Sequence, residues 1–402
     1  MFKKIFPIIA LSFVNMLGFL ILVPVLPFVI RELGYSDYYY GILLSIYPAA
    51  QFLAAPILGS LSDKYGRKPL LLVSQAGTAF SWVIFGISYY FYINGNFSYT
   101  LFFIALSRLF DGLTGGNISI ANAYLSDITT KDEKSYAFGL NGASMGLALI
   151  VGPTLGSISS AGSLGYLGTA ILALIISIIT LGLIFKLSES LSEVDRRGDF
   201  ENRLLKQLNI ITRVVQFKNN KTIMDMFFIR FIFSFIMSTY STLITLFIID
   251  RFNFDKHKLG LYMLIVGVYL VFNQLVMVKK FVSKYGDYKT LFIGTLFMGI
   301  GFIMLTQLYN IVAYTLFYYI VNLGISLVFP TEKSILSNAS DPKIQGEVMG
   351  VDEALGSLAS IPAPVLGGLG YALLGPNSLL IVAFITLLFT VKLYPYLKKS
   401  SL

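Results

Sequence analysis

Long apolar stretches follow one another along this chain, and they decide what it can fold into. Few charges interrupt them, and most of the connections between them are short. About 20 mainly apolar residues make a helix that spans a lipid bilayer, so 402 residues have room for about a dozen spans. Because 56% of the residues are hydrophobic and only 13% are charged, we expect lipid to be the main solvent.

We therefore predict an all-α membrane protein with twelve transmembrane helices. The first stretch is too long for a signal peptide and lacks a small-residue cleavage pattern, so we retain it as the first helix. The approximate limits of the predicted spans are 5–30, 38–62, 69–93, 99–127, 134–160, 162–186, 222–250, 257–281, 288–309, 311–338, 344–371 and 376–397.

The net charge of +9 is distributed unevenly among the connections between spans. One alternating set of connections contains only Arg31, Arg251, Lys256 and Lys258, whereas most of the 30 lysines and arginines lie in the other set. By the positive-inside rule, both termini and the long central connection are cytoplasmic. This distribution predicts a multi-pass protein of the cell (plasma or inner) membrane and argues against nucleic-acid binding.

A charged segment near the midpoint divides the chain. We predict an N-terminal six-helix bundle over 1–186 and a C-terminal six-helix bundle over 222–402. Between them, 187–221 is a cytoplasmic linker in which we expect an amphipathic helix.

The two halves resemble each other in sequence. At one constant offset and without a gap, Gly139 aligns with Gly350 and Pro153 aligns with Pro364. A parallel repeat of six helices implies two pseudo-symmetric bundles with a cavity at their interface. Such an architecture moves by rocking, which favours a transporter over a channel, a receptor or an intramembrane enzyme.

The connection after the second span carries the strongest motif. Residues 59–69 read GSLSDKYGRKP, which resembles the major facilitator superfamily signature G-x-x-x-D-[RK]-x-G-R-[RK] at every defining position. In that family the loop acid faces the start of helix 11, here near 343–346, where a helix dipole favours an anion. The loop arginine pairs with an acid that ends helix 4.

The alternative interpretation of this loop is a basic cluster that only fixes topology. The predicted cytoplasmic gate motif comprises Gly59, Asp63, Gly66, Arg67, Lys68 and Asp127.

The fifth span resembles the antiporter motif of the drug:proton branch, which includes tetracycline and multidrug efflux proteins. The matching residues are Gly139, Gly152, Pro153 and Gly156. Ala148 and Ser157 stand where that motif has glycines. The alternative interpretation is that small residues serve helix packing alone.

The fourth span resembles the family's R-x-x-x-G motif, which is linked to proton transfer. Arg108 and Asp111 are three residues apart and share one helix face. We predict that Asp111 carries the coupling proton and that Arg108 biases its charge; the alternative is a permanently ionised structural pair. Many relatives have an acid where Asn15 stands, which argues against a tetracycline exporter in the narrow sense.

Other polar residues within the spans supply further candidates. Glu332, Asp352 and Glu353 are secondary candidates for proton transfer; alternatively, they form an ion-pair network near the inner gate with the basic residues of the same half. The predicted substrate cavity is lined by Asn15, Tyr47, Gln51, Asn122, Tyr124 and Tyr240.

Taken together, the resemblance implies a secondary active transporter that exports an amphipathic organic compound or drug by proton-coupled antiport and alternating access. We expect a monomer in the lipid bilayer, with a small-molecule substrate and protons as partners. The absence of cysteine excludes disulfides, thiolate metal sites and thiol nucleophiles, and without a phosphate-binding loop we expect an ion gradient to supply the energy. The resemblance to a transporter family implies no enzyme activity, catalytic residue, cofactor or metal. The alternatives are a proton-coupled importer or facilitator of a sugar or small metabolite and, from another class, a non-transporting membrane receptor or scaffold.

Overall fold

The computed structural model describes residues 2–115, 117–191, 196, 209–340 and 344–397. Within these ranges every regular element is helical. In chain order the α-helices are α1 (Phe2–Leu20), α2 (Leu26–Glu32), α3 (Asp37–Tyr65), α4 (Arg67–Ile93), α5 (Phe97–Thr114), α6 (Asn117–Ile128), α7 (Lys131–Ser160), α8 (Tyr166–Phe185), α9 (Ile210–Val215), α10 (Lys221–Phe252), α11 (Lys256–Phe272), α12 (Val278–Gln307), α13 (Ile311–Asn338), α14 (Gln345–Ala359), α15 (Pro362–Leu374) and α16 (Ser378–Leu397).

Three predicted spans are broken rather than continuous. The span 5–30 consists of α1 and α2, and the span 344–371 consists of α14 and α15. Proline sits at the start of the second piece in both cases, at Pro27 in α2 and at Pro362 in α15. Proline suits the first turn of a helix, because its φ is already helical and its missing N–H costs no hydrogen bond there, so both prolines favour a new helix start. The span 99–127 is also divided, into α5 and α6.

A glycine divides another long helical run. Gly286 has φ 73° and ψ 171°, so the helix assigned as α12 kinks there. The kink separates the predicted spans 257–281 and 288–309. A π-helical turn, Asn273–Met277, joins α11 to α12.

Seven helical stretches among the described residues are long and apolar enough to cross a membrane. They are Asp37–Tyr65, Arg67–Ile93, Tyr166–Phe185, Lys221–Phe252, Lys256–Gln307, Ile311–Asn338 and Glu347–Pro395. Two shorter apolar helices are Lys4–Leu20 and Ser144–Ser160. The apolar stretches of the sequence thus fold into helices that are long enough to span a membrane.

The chain forms two compact units. Unit 1 comprises Met1–Tyr35, Leu43–Asn209 and Lys256–Leu264, and unit 2 comprises Ser36–Ile42, Ile210–Asp255 and Ile265–Leu402. In unit 1, α4 packs against α5 and α8, and α1 packs against α7. In unit 2, α12 packs against α13 and α16, while α10 packs against α14 and α15.

The amphipathic helix predicted in the linker falls largely outside the described residues, because 192–195 and 197–208 are not among them. Within the described part, α9 is a six-residue helix that packs against α14. Its Ile211 is 73% exposed although it is apolar.

Candidate functional site

A single glycine makes the turn between α3 and α4. Gly66 has φ 101° and ψ 157°, a backbone conformation that glycine adopts without a steric penalty. The tight turn brings the end of α3 back toward the start of α4, and Arg67 Nη1 lies 2.5 Å from Asp63 Oδ1. The loop motif therefore forms a compact charged group.

Arg67 has partners on two other parts of unit 1. Its Nε donates to Asp127 Oδ2 on α6 at 3.2 Å, and its Nη1 donates to the Ser62 hydroxyl at 2.7 Å. The Arg67 residue is only 9% exposed. The structure thus brings Asp63, Arg67 and Asp127 together. A Cβ added at Gly59 would lie 3.7 Å from the Ser119 hydroxyl of α6, an ordinary contact distance.

Glu189, in the linker, completes this network and was not predicted from the sequence. The backbone N–H groups of Arg67 and Lys68 donate to its carboxylate at 2.8 Å and 3.1 Å. A carboxylate at this place satisfies unpaired donors at the start of α4 and complements the helix dipole. The neighbouring Ser190 hydroxyl donates to Asp127 at 3.0 Å. No local pattern indicates this contact, because its partners are more than a hundred residues apart.

The predicted position of Asp63 opposite the start of helix 11 stays a prediction. Within the expected range 343–346, residue 343 lies outside the described residues.

Arg108 and Asp111 form a buried ion pair on α5. Arg108 Nη1 lies 3.2 Å from Asp111 Oδ2, and the two residues are 2% and 3% exposed. The guanidinium stacks over Trp82 at 4.9 Å from the ring centroid, so aromatic carbon screens it from solvent. Thr78 and Ser81 of α4 face the Asp111 carboxyl. The pair is therefore electrically balanced and surrounded by protein.

Two predicted cavity residues lie beside this pair. Tyr47 of α3 packs against α5 beside Asp111, since a Cβ added at Gly112 would lie 2.5 Å from the Tyr47 carbonyl oxygen. Gln51 donates to the Tyr47 hydroxyl at 3.2 Å and to the Gly115 carbonyl, where α5 has ended, at 2.9 Å. The polar edge of α3 thus meets the ion pair and the break in the fourth predicted span.

Two asparagines predicted in the cavity form hydrogen bonds between helices. Asn15 and Asn117 exchange hydrogen bonds of 2.5 Å and 3.1 Å between α1 and α6. Asn122 accepts a hydrogen bond of 3.2 Å from Asn141 of α7.

Two tyrosines predicted in the cavity are buried. Tyr124 is 2% exposed within an apolar core cluster, and its hydroxyl donates to the Ser188 carbonyl in the linker at 2.8 Å. Tyr240 is 4% exposed and packs against Phe302 with ring centroids 4.8 Å apart. Both side chains are buried, and their place in a substrate cavity stays a prediction.

The glycines of α7 permit close contact with the end of α1. Gly139 lies within α7, as do Gly152, Pro153 and Gly156. A Cβ added at Gly152 would lie 2.8 Å from Leu20 Cβ, and one at Gly156 would collide with the Ile21 backbone carbonyl. Small residues are therefore required here for packing within unit 1.

A second charged cluster lies in unit 2. Arg230 of α10 contacts Glu353 at 3.0 Å and Asp352 at 3.5 Å. Lys333 of α13 contacts Glu353 at 2.7 Å and also pairs with Asp352. Glu332, one residue before Lys333, is 1% exposed. The structure therefore brings all three secondary acidic candidates into one network.

A family model for the Major Facilitator Superfamily matches this chain in two overlapping segments, residues 8–364 and 226–401. The chain belongs to the major facilitator superfamily. Its helical fold and its loop motif both accord with that membership.

Curated relatives of this major facilitator protein carry drug-resistance names. It is 27% identical over 355 residues to the class C tetracycline resistance protein of Escherichia coli, covering 87% of this chain and 85% of that protein. It is 28% identical to the class H tetracycline resistance protein of Pasteurella multocida, covering 90% and 88%. It is also 28% identical to multidrug resistance protein 2 of Bacillus subtilis (strain 168), covering 91% and 88%.

Solved structures share the fold at lower identity. The human organic anion transporter MFSD10 matches with a TM-score of 0.73 and 20% identity, covering 97% of this chain and 99% of that one. A D-xylose-proton symporter matches with a TM-score of 0.70 and 15% identity, covering 97% of each chain. These likenesses establish the major facilitator fold.

The charged groups of this major facilitator protein can take part in two processes, the exchange of ion-pair partners and the binding of protons. Arg67 and its partners can break and re-form ion pairs as helices move. The buried carboxyls can bind and release protons, because their charge is costly in low-dielectric surroundings.

Proposed function

We propose that this protein is a proton-coupled antiporter that exports an amphipathic organic compound across the cell membrane. The observation that carries the proposal is the likeness to tetracycline and multidrug resistance proteins over nearly the whole chain. We further propose twelve transmembrane helices in two six-helix bundles, over 1–186 and 222–402, with the linker 187–221 and both termini in the cytoplasm. The transporter acts as a monomer.

The network around Arg67 serves as the cytoplasmic latch in this proposal. Asp63, Asp127 and Glu189 anchor the start of α4 through charge-assisted hydrogen bonds, which are stronger than bonds between neutral groups. Such bonds are strong enough to hold one state and few enough to be exchanged in a transport cycle. Movement of α4 relative to α3 and α6 would exchange these contacts as the cytoplasmic side opens.

Asp111 is the proposed proton carrier of the N-terminal half, with Arg108 as its electrostatic partner. While Asp111 is ionised, Arg108 neutralises it at 3.2 Å. Protonation of Asp111 would leave the guanidinium unbalanced beside Tyr47, and the free energy of that imbalance would drive rearrangement at the polar edge of α3. Proton binding is thereby coupled to helix movement.

The direct test is transport by purified protein in lipid vesicles with an imposed pH gradient. Tetracycline and ethidium serve as probes because both are amphipathic and are chemically unlike each other. We expect accumulation of at least one probe in the compartment that supplies the protons, and its loss when an ionophore collapses the gradient. Downhill probe movement at a rate independent of the pH gradient would identify a facilitator. The same vesicles with xylose would test a sugar substrate.

A further inference from the structure

The charged cluster of unit 2 contains one more carboxyl group than it has cations. Its members are Arg230 on α10, Lys333 and Glu332 on α13, and Asp352 and Glu353 on α14. Arg230 and Lys333 each contact both Asp352 and Glu353. Two cations therefore balance two carboxylates, and Glu332 is left without a compensating charge.

Glu332 is also left without a hydrogen-bond donor. Among the described residues, no donor reaches either oxygen of its side chain, and the residue is 1% exposed. The adjacent Asp352 is 0% exposed, and its Oδ1 likewise has no donor within the described part of the chain. Two deeply buried carboxyl groups thus each have an oxygen without a donor.

These two carboxyl groups face each other. Glu332 and Asp352 lie close enough to repel each other when both are ionised, and each has an oxygen that no donor of the described residues reaches. Two ionised carboxylates have only acceptors and repel each other, so they can bond only if one of them carries a proton. One proton between them would supply the missing donor and restore charge balance in the cluster.

The titratable and charged groups acting on Glu332 are Asp352, Lys333 and Arg230, from all three helices of the cluster. Both cations are already engaged by Asp352 and Glu353. The Glu353 side chain is 61% exposed, so the cluster has a polar edge that water reaches. A proton can therefore enter and leave through this edge while Glu332 itself stays buried.

We propose that Glu332 and Asp352 share one exchangeable proton and form a second proton-coupling site, in the C-terminal half. A proton from water binds the Glu332 carboxylate, and the resulting O–H donates to Asp352. The same proton returns to water when Glu332 ionises, and no other bond is made or broken. This inference rests on the proposed proton-coupled function and identifies where that function holds its ion in unit 2.

Infrared spectroscopy of the protein in lipid vesicles tests the site without any transport substrate. A protonated carboxyl has a C=O stretching band that is distinct from ionised carboxylate and shifts in D₂O. At neutral pH we expect this band in the wild type, its loss in Glu332→Gln, and its retention in Asp111→Asn. Asp287→Asn is the matched control, because this carboxylate bonds Ser334 of α13 outside the cluster. The control should retain the band.

Two results would overturn the proposal: absence of the band in the wild type, or an unchanged band in Glu332→Gln. If Glu332→Gln does not fold, Glu332→Asp provides the same test, because it keeps a carboxyl and should shift the band.

A transport measurement separates this inference from the proposed function. In vesicles with a pH gradient, Glu332→Gln should lose probe accumulation and retain downhill probe exchange, whereas Asp287→Asn should retain both. If the wild type itself accumulates neither tetracycline nor ethidium, the proposed function fails while the infrared result still decides the protonation of Glu332. If Glu332→Gln accumulates probe like the wild type, Glu332 is not a coupling site.

Discussion

The buried charges of the two units differ in how they are balanced. In unit 1, Arg108 and Asp111 form an isolated pair that is covered by Trp82, and each residue is no more than 3% exposed. In unit 2, five charged side chains share one network and one of them, Glu332, lacks a counter-charge.

The contrast separates a buried carboxyl that is ionised at rest, Asp111, from one that is protonated at rest, Glu332. A balanced pair is stable when both members are ionised, because the attraction between them offsets much of their desolvation. A surplus carboxyl has no such compensation, and binding a proton is the simplest way to remove its charge. We therefore expect replacement of an acid by its amide to lower stability much more in unit 1 than in unit 2.

Asp111→Asn should produce the largest loss of stability. It leaves the Arg108 guanidinium buried and unpaired, a change that costs about 3–5 kcal/mol. The double variant Arg108→Gln/Asp111→Asn should recover much of that loss, because no buried charge remains. Apparent melting temperatures of the three proteins in detergent measure the effect.

The same double variant sharpens the functional assignment of unit 1. We expect it to fold and to lose accumulation driven by a pH gradient. Accumulation at the wild-type level in the double variant would show that the Arg108–Asp111 pair is only structural.

The cytoplasmic latch should give an intermediate effect that appears in transport more than in stability. Asp63→Asn removes a partner of Arg67 while Asp127 remains, so insertion and folding should persist and flux should fall. Lys186→Gln, a charge-removing change at an exposed residue of unit 1 outside the motif, is the control. Wild-type flux in correctly folded Asp63→Asn would eliminate the latch.

Glu189→Ala tests the contact from the linker. Removing a side chain that satisfies backbone donors at a helix start costs about 1 kcal/mol. We expect a correspondingly small fall in melting temperature and faster amide hydrogen exchange at the start of α4. If exchange at Arg67 and Lys68 is unchanged, the linker does not cap α4.

Glu332→Gln should have the smallest effect on stability, less than about 1 kcal/mol, because it replaces a neutral carboxyl by a neutral amide that can also donate to Asp352. Its melting temperature should stay close to that of the wild type at neutral pH. A loss as large as that of Asp111→Asn would mean that Glu332 is ionised and paired, and would remove the contrast between the two units.

Short-range patterns in the sequence predict some of the ion pairs in unit 1. The spacing of Arg108 and Asp111 predicts a pair on one helix face, and the loop motif predicts the meeting of Arg67 with Asp127. Both contacts are present in the structure. Their transport roles stay predictions.

Other features depend on contacts that no local pattern encodes. Glu189 reaches α4 across more than a hundred residues of chain, and the isolation of Glu332 depends on how three helices share two cations. The helix breaks had a local signal in Pro27 and Pro362, but hydropathy over a whole span does not register a break within it. Tyr124 shows the same limit, because no local pattern indicates the hydrogen bond from its hydroxyl to the linker.

Proton-coupled antiport is tested most directly by measuring substrate and proton movement together in one vesicle preparation. A pH-sensitive dye in the lumen reports protons while tetracycline or ethidium is added on one side. In the wild type we expect substrate to trigger proton movement in the opposite direction. Glu332→Gln should move fewer protons for each substrate molecule, because only the Asp111 site remains. Substrate movement with no change in luminal pH in the wild type would contradict proton-coupled antiport.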